Sequence, residues 1–144
     1  IYTRVAKKSK RKKLIEKLDN VFSIYIRRRY AKNDIAECFT CGKKDHWKKL
    51  QCGHFQSRKN YATRFGTLDD DDKITELNCQ VQCAGCNVFR YGEQYLFAKN
   101  LDKKYNKGLA DELFLRSKKV VKFDNIDLEM LISKYKQLTD NLNK

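Results

Sequence analysis

The sequence predicts an α+β protein in which a loop-rich, metal-organised centre lies between amphipathic helices. Apolar residues recur at helical spacing near both ends of the chain, whereas residues 37–90 lose this periodicity and are rich in Cys, Gly and Asn. The same central stretch holds two Cys-x-x-Cys pairs, a spacing typical of metal sites. A chain of 144 residues suits one domain, and a hydrophobic content of 41% predicts a modest core that a bound metal would help to stabilise.

Residues 1–36 predict a basic N-terminal helix. Six of the seven residues at positions 7–13 are Lys or Arg, and an apolar stripe at helical spacing follows them. The stripe consists of Leu14, Leu18, Val21 and Tyr25, and is widened by Phe22, Ile26 and Tyr30. Arg27, Arg28 and Arg29 suit the negative end of the helix dipole, and they suit DNA phosphates equally well.

The residues after Cys86 predict further helices. One helix is expected to begin near Tyr91 and to end near Gly108, and residues 109–115 predict a shorter turn or helix. Residues 120–123 predict a short strand. The last helix carries a clear apolar face that we expect to pack on the core, formed by Leu128, Leu131, Ile132, Tyr135 and Leu138. We therefore divide the chain into residues 1–36, a metal-stabilised core at 37–108, and a helical extension at 109–144.

The two Cys-x-x-Cys pairs predict a closed, structural zinc site. Cys38 and Cys41 are followed by Gly42, whose freedom lets the backbone curl beneath the sulfurs. Cys83 and Cys86 repeat the spacing after an insert of 41 residues, and the four thiolates together would complete a tetrahedral site.

Assigning four cysteines to zinc leaves two others to explain and indicates the redox environment of the protein. Six cysteines would also allow three disulfides in a secreted protein, but the spacing favours metal, and we expect a reducing, cytoplasmic setting. Cys52 and Cys79 are expected to be buried thiols, although Cys79 offers a competing ligand.

The net charge indicates the partner. An excess of 32 basic over 18 acidic residues gives +14, which predicts a polyanion and most commonly a nucleic acid. A membrane surface or a solvated basic tail would explain part of this charge. The chain has no apolar run long enough to span a bilayer, so we expect no membrane partner.

The insert between the cysteine pairs holds candidate catalytic groups. Hydrolysis of a phosphodiester needs a base to deprotonate water and a divalent metal to neutralise the developing charge. His54, on an expected strand at residues 51–55, supplies an imidazole, and Asn87 offers a carbonyl oxygen to a metal. Asn78 would fix the loop or the ring orientation of His54. Taken singly, each of these residues is more often structural.

Basic side chains surround His54 in the sequence. Arg58, Lys59, Arg64 and Arg90 are predicted to hold phosphates. Aromatic residues lie among them and are expected to belong to the core: Phe55, Tyr61 and Phe65. His46 is expected at the surface, and the acidic run at residues 69–72 is expected to form an exposed loop.

Four segments, in this order, resemble the phage NinG (Rap) recombination family. They are FSIYIRRR at 22–29, CFTCG at 38–42, CGHFQSR at 52–58 and NCQVQCAGCN at 78–87. The resemblance covers roughly residues 21–113 and implies an HNH, or His-Me finger, core: two short strands and a helix around one metal. It implies a DNA endonuclease that acts on branched recombination intermediates, including Holliday junctions. Such a protein would be encoded by a phage or prophage and would act in the cytoplasm of the bacterial host.

The resemblance also assigns roles. His54 would be the general base, Asn78 the middle Asn of the HNH pattern, and Asn87 the final ligand of a catalytic Mg²⁺ or Mn²⁺. Such enzymes commonly place an Asp or His ligand just before the base, where this chain has Gly53. Gln51 would then offer a weaker second ligand, and the acidic loop at 69–72 a remote one.

Two other function classes compete with the nuclease. The chain would serve as a non-catalytic zinc-dependent DNA-binding module if His54 were structural, or as an RNA- or ribosome-associated zinc protein. A homodimer would suit the two coordinated cuts of junction resolution.

Overall fold

Five α-helices and four short strands form the part of the chain that the structure, a computed structural model, describes: residues 7–143. In chain order they are α1 (Lys10–Arg28), β1 (Ile35–Glu37), β2 (Lys44–His46), β3 (Gln51–His54), α2 (Tyr61–Arg64), β4 (Cys79–Gln82), α3 (Gln94–Lys104), α4 (Leu109–Ser117) and α5 (Asn125–Asn141). Single helical turns lie at Trp47–Lys49, Thr75–Asn78 and Gly85–Phe89. The α+β prediction is confirmed. Positions 1–6 and 144 of the predicted terminal segments lie outside the described residues.

The predicted N-terminal helix is α1. Its N-cap Ser9 accepts a hydrogen bond from the backbone N–H of Lys12, which satisfies a free donor of the first turn. The predicted apolar stripe is buried at four positions: Leu18, Val21, Phe22 and Ile26.

Helix α5 packs along α1 and closes the main core. Asp124 and Asp127 form a reciprocal capping box at its start. The face buried against α1 is formed by Leu128, Leu131, Ile132 and Tyr135. Phe22 meets the Tyr135 ring edge-on with centroids 4.7 Å apart, an arrangement that stabilises aromatic pairs beyond simple burial.

Two antiparallel strand pairs carry the central part of the chain. β1 pairs with β2, and β3 pairs with β4 in a register that sets Gln51 opposite Gln82 and His54 opposite Cys79. The predicted strand at 51–55 is therefore confirmed, ending one residue earlier. Helix α1 lies against β3 and β4, so the N-terminal helix and the metal-organised centre share one scaffold.

The predicted helix from Tyr91 to Gly108 is wrong at both ends. α3 begins only at Gln94, because Tyr91, Gly92 and Glu93 have φ angles of 54°, 85° and 49° and cannot be α-helical. The helix ends at Lys104, and Gly108, with φ 92°, instead precedes α4. The short helix predicted at 109–115 is confirmed as α4.

The strand predicted at residues 120–123 is also wrong. This segment has no strand partner among the described residues. Its backbone carbonyl at Phe123 accepts from the guanidinium of Arg11, and the Phe123 ring lies 6.3 Å from that of Phe65. This apolar-rich segment is a connection that contacts α1 through Arg11 and does not belong to a sheet.

The acidic run lies in a loop, as predicted. Asp69, Asp70 and Asp71 are exposed. Two of its carboxylates pair with helices: Asp70 with Lys134 of α5 at 3.2 Å, and Asp72 with Arg116 of α4. In residues 7–143, none of the helices combines the length and apolar character needed to cross a membrane.

Replacing Leu131 by Ala should lower the free energy of unfolding by about 2–5 kcal/mol, because the side chain is fully buried between α1 and α5. Urea unfolding followed by circular dichroism measures the change. Ile126→Ala on the same helix is the matched control: its side chain is 66% exposed, so its effect should stay within about 0.5 kcal/mol. Equal effects of the two substitutions would contradict the assignment of this face to the core.

Candidate functional site: a four-cysteine metal centre beside a histidine cavity

The four cysteines of the two Cys-x-x-Cys pairs meet in space. Cys38 follows β1 and Cys41 lies in the turn before β2, while Cys83 follows β4 and Cys86 lies on the turn Gly85–Phe89. Their four sulfurs lie within 4.8 Å of one another, and Cys41 Sγ is 3.7 Å from Cys83 Sγ. A tetrahedral site with Zn–S bonds of about 2.3 Å sets sulfurs roughly 3.8 Å apart. The cluster can therefore hold a zinc ion.

Hydrogen-bond donors outside the cluster or on the backbone reach three of these sulfurs, those of Cys38, Cys83 and Cys86, whereas burial raises the pKa of Cys41. The backbone N–H of Cys86 points at Cys83 Sγ, 3.4 Å away, and Arg90 Nη2 lies 3.2 Å from Cys86 Sγ. Burial raises the pKa of Cys38, but hydrogen bonds from the Thr40 hydroxyl and from backbone amides outweigh it and bring that pKa to about 6. Four thiolates around Zn²⁺ leave a net charge of −2, which Arg90 partly offsets.

A cavity of about 530 Å³ lies between α1, β3 and the turn after Cys86. It brings together three of the four residues predicted for catalysis and the catalytic metal: His54, Asn87 and Gln51. Two arginines, Arg27 and Arg58, line the same cavity, and they suit an anionic ligand.

His54 stands at the end of β3 with its ring oriented by a backbone carbonyl. Its Nε2 lies 3.2 Å from the carbonyl oxygen of Arg64, so a protonated Nε2 donates there and leaves the lone pair on Nδ1. Burial lowers the pKa of His54 to about 4, against a weaker opposing effect of this hydrogen bond. The imidazole is therefore neutral at neutral pH.

Asp19 belongs to this site, although no sequence pattern indicated it. It projects from α1 and lines the cavity, and it accepts from Arg64 Nε at 3.1 Å and Nη2 at 2.6 Å. This two-point ion pair joins α1 to α2 and fixes the residue whose carbonyl orients His54. Asp19 lies on a helix 35 positions before His54, and no local pattern links the two.

Asn87 and Gln51 meet at the other side of the cavity. Asn87 lies on the turn Gly85–Phe89, and its Nδ2 donates to Gln51 Oε1 at 2.8 Å, at the start of β3. The backbone N–H of Asn87 donates to Cys83 O at 2.9 Å, so the cysteine centre directly positions this amide.

The glycine before His54 is required by a neighbouring side chain. A Cβ atom at Gly53 would lie 1.8 Å from Gln82 Oε1. Gln82 is fully buried, and its Nε2 donates to the Thr40 hydroxyl at 3.1 Å and to the carbonyl of Gly92 at 2.9 Å. Gly53 thus makes room for the side chain that ties β4 to both loops of the cysteine centre.

Asn78 acts on the loop after β3 and makes no hydrogen bond to His54. Its side chain is buried; Oδ1 accepts from the N–H of Gln56 at 2.7 Å, and Nδ2 donates to the carbonyls of Gln56 and Thr63. Of the two roles expected for it, the structure places this residue where it fixes the loop.

The three predicted DNA-contacting arginines of α1 have different surroundings. Arg29 is only 4% exposed, contacts Glu76 and donates to the carbonyl of Cys79 at 2.7 Å, so it is placed for internal packing rather than for phosphate. Arg27 is half-buried and faces the cavity. Arg28 stacks near the Trp47 ring, 5.3 Å from its centroid, and also contacts Asn143.

The four basic residues expected around His54 are not equivalent. Arg64 is 14% exposed and committed to Asp19, which makes it a positioning group. Arg58 is 60% exposed at the cavity, and Lys59 is exposed nearby. Arg90 contacts the cysteine centre through Cys86, and its guanidinium still reaches solvent.

Two further predictions concern residues outside the cavity. Phe65 belongs to the core, as predicted, and His46 is half-exposed, with its Nδ1 accepting from the backbone N–H of Lys48.

These features define a small, strongly basic α+β protein built around a four-cysteine cluster that can hold a metal ion. A family model described as Bacteriophage Lambda NinG protein matches residues 2–144. The chain belongs to the NinG family, and this membership indicates a role in phage recombination. No curated protein and no solved structure gives a significant match.

Removing zinc should unfold the centre of the protein. Apparent zinc affinities of about 10–16 kcal/mol equal or exceed the whole stability of a small domain. We expect a strong chelator, or the substitution Cys86→Ser, to abolish the cooperative unfolding transition or to shift it to a much lower temperature. Returning zinc to the chelated wild type should restore the original melting temperature. Thermal circular dichroism combined with metal analysis tests this. An unchanged melting temperature in metal-free protein would show that zinc does not stabilise the fold.

The lowered pKa of His54 predicts a pH-dependent stability. Between about pH 4 and 6.5 the unfolded chain binds a proton at this residue and the folded chain does not, so the free energy of unfolding falls as pH falls through this window. The loss amounts to at most about 3 kcal/mol. His54→Gln should remove that part of the pH dependence, measured as the difference between urea titrations of the two proteins. Parallel curves would show that the imidazole titrates normally.

Proposed function

We propose that this protein is a metal-dependent DNA endonuclease with an HNH-like site. The observation that carries the proposal is the convergence of His54 with the Asn87–Gln51 amide pair on one cavity that also holds two arginines. The order of elements supports the proposal in part, since β3 and β4 pair antiparallel and a single helical turn, Gly85–Phe89, follows them in place of a longer α-helix.

His54 would act as the general base. At neutral pH the ring is neutral, and the carbonyl of Arg64 occupies Nε2, so Nδ1 is available to take a proton from an attacking water. The Asp19–Arg64 ion pair limits rotation of the ring by holding that carbonyl in place.

The amides of Asn87 and Gln51 would hold Mg²⁺ or Mn²⁺. Both carry hard carbonyl oxygens at the cavity wall, and Mg²⁺ commonly uses one or two protein ligands with water and phosphate oxygens completing its shell. Gln51 Oε1 accepts from Asn87 Nδ2, so metal binding would require the Asn87 amide to release this hydrogen bond and turn its oxygen toward the cavity. When bound, the metal would neutralise charge that develops on the phosphate.

Asn78 would serve this site indirectly. By binding the backbone of Gln56 and Thr63 it fixes the loop between β3 and α2, which carries Arg58 to the cavity. Arg58 and Arg27 would then hold the phosphate that is cut. The net charge of +14 supports a DNA partner through attraction along the rest of the backbone.

The substrate that we propose is branched DNA formed during phage recombination, including Holliday junctions. Membership of the NinG family supports this choice. Resolution of a four-way junction requires two cuts, for which a homodimer would be suitable, and the reaction would take place in the cytoplasm of the bacterial host.

His54→Ala should reduce cleavage of a junction substrate by about 10²–10⁴-fold, because the general base is lost. Folding and DNA binding should persist. Labelled junction, flap and duplex DNAs incubated with Mg²⁺ or Mn²⁺ provide the assay, and gel-shift titrations measure binding. His46→Ala is the matched control: it removes the chain's other histidine, which lies outside the cavity, and should leave cleavage unchanged.

Each result separates the function classes. Equal cleavage by wild type and His54→Ala would exclude His54 as the base. Metal-independent binding with no nicking of any DNA would instead support the non-catalytic zinc module. Preference for RNA in competition would favour an RNA-associated protein.

A further inference from the structure

A second group of metal-ligating side chains lies on the β3–β4 pair. His54 stands opposite Cys79, and Cys52 lies two residues before His54 on the same strand. Because side chains two apart on a strand share a face, all three project to the same side of the sheet. The two sulfurs and an imidazole nitrogen lie within 4.8 Å of one another, the same spacing within which the sulfurs of the four-cysteine centre meet.

We propose that Cys52, His54 and Cys79 form a second zinc site, distinct from the structural centre. Thiolate and imidazole are the donors that zinc prefers, and three protein ligands with water in the fourth position make an open site. Two thiolates, one neutral imidazole and Zn²⁺ sum to zero charge, which suits a partly buried position. All six cysteines of the chain then belong to one of two metal-binding groups.

The surroundings of this group favour zinc over magnesium. Cys79 is fully buried beneath the aromatic core, whereas Cys52 lines the cavity, so an ion would enter from the cavity side. The one carboxylate lining that cavity, Asp19, is already paired with Arg64. The donors of the proposed zinc site are two thiolates and an imidazole, which zinc prefers, whereas the amide oxygens of Asn87 and Gln51 suit magnesium.

Occupation of this site would regulate the proposed nuclease, and this consequence rests on the proposed function. The imidazole cannot bind zinc through a nitrogen and use the same lone pair to deprotonate water. A second zinc equivalent would therefore silence cleavage, while the first maintains the fold. Cys52 and Cys79 would thus make the cleavage activity depend on the concentration of free zinc.

Metal counting tests the site without reference to activity. The full chain is titrated with Zn²⁺, and separately with Co²⁺, whose thiolate charge-transfer absorption reports sulfur ligation. Wild type should bind two equivalents, while Cys52→Ser and Cys52→Ala should each bind one and keep the native circular dichroism. Ser23→Ala, which alters the same cavity without a metal donor, should still bind two. A wild type that binds one equivalent, or Cys52 variants that bind two, would overturn the proposal.

Cleavage rates with Mg²⁺ at rising zinc separate the two hypotheses. Wild type should lose activity as the second equivalent binds, and the fractional loss should be smaller in Cys52→Ala. Should the second equivalent bind through Cys52 while cleavage continues, the zinc site stands and His54 is not the base. If the protein cleaves no DNA at any zinc level, the proposed function fails, and the metal count alone decides the zinc site.

Discussion

The gathering of four sulfurs around one point is the constraint on which the rest of this structure depends. It joins two turns that are 41 residues apart in the chain and holds them against the β3–β4 pair. Asn87 follows Cys86 directly and bonds to the backbone of Cys83, so its amide is positioned by the same turn that presents the sulfurs. A metal bound there would stabilise the fold and set the geometry of the neighbouring cavity together. The modest apolar core, divided into three small clusters, makes that cross-link more important than it would be in a larger domain.

A second support comes from the helices. α1 and α5 form the aromatic core, and α1 also contributes Asp19, whose ion pair with Arg64 fixes the carbonyl that orients His54. The imidazole is thus held by a helix distant in sequence, whereas the amide pair opposite it is held by the cysteine centre. The cavity lies where these two supports meet. Such a division explains why the first helix is an integral part of the site and not merely a basic extension.

Local patterns predicted the features that local physics determines. Helices α1 and α5 and strand β3 follow from periodicity, which acts within a few residues. The meeting of the four cysteines was predicted because two Cys-x-x-Cys pairs supply the four ligands of one metal. The errors lie where distant contacts decide. Residues 91–93 have positive φ angles in a loop whose Gly92 carbonyl accepts from the distant Gln82. Segment 120–123 pairs with no strand within residues 7–143. Composition marked Arg29 as a phosphate ligand, but Glu76 and a backbone carbonyl hold it inside, and Asp19 had no signal at all.

The contact between Gly53 and Gln82 has a consequence for how this site can change. In the proposed nuclease, position 53 is where HNH enzymes commonly carry a stronger metal ligand, but a Cβ atom at this position would lie 1.8 Å from Gln82 Oε1. That amide in turn links β4 to Thr40 and Gly92. Acquiring the ligand would therefore require two coupled substitutions, each harmful alone: the first through a steric clash, the second through loss of the link. A side chain at position 53 is therefore compatible with this packing only when position 82 changes as well, so the effects of the two substitutions should be coupled.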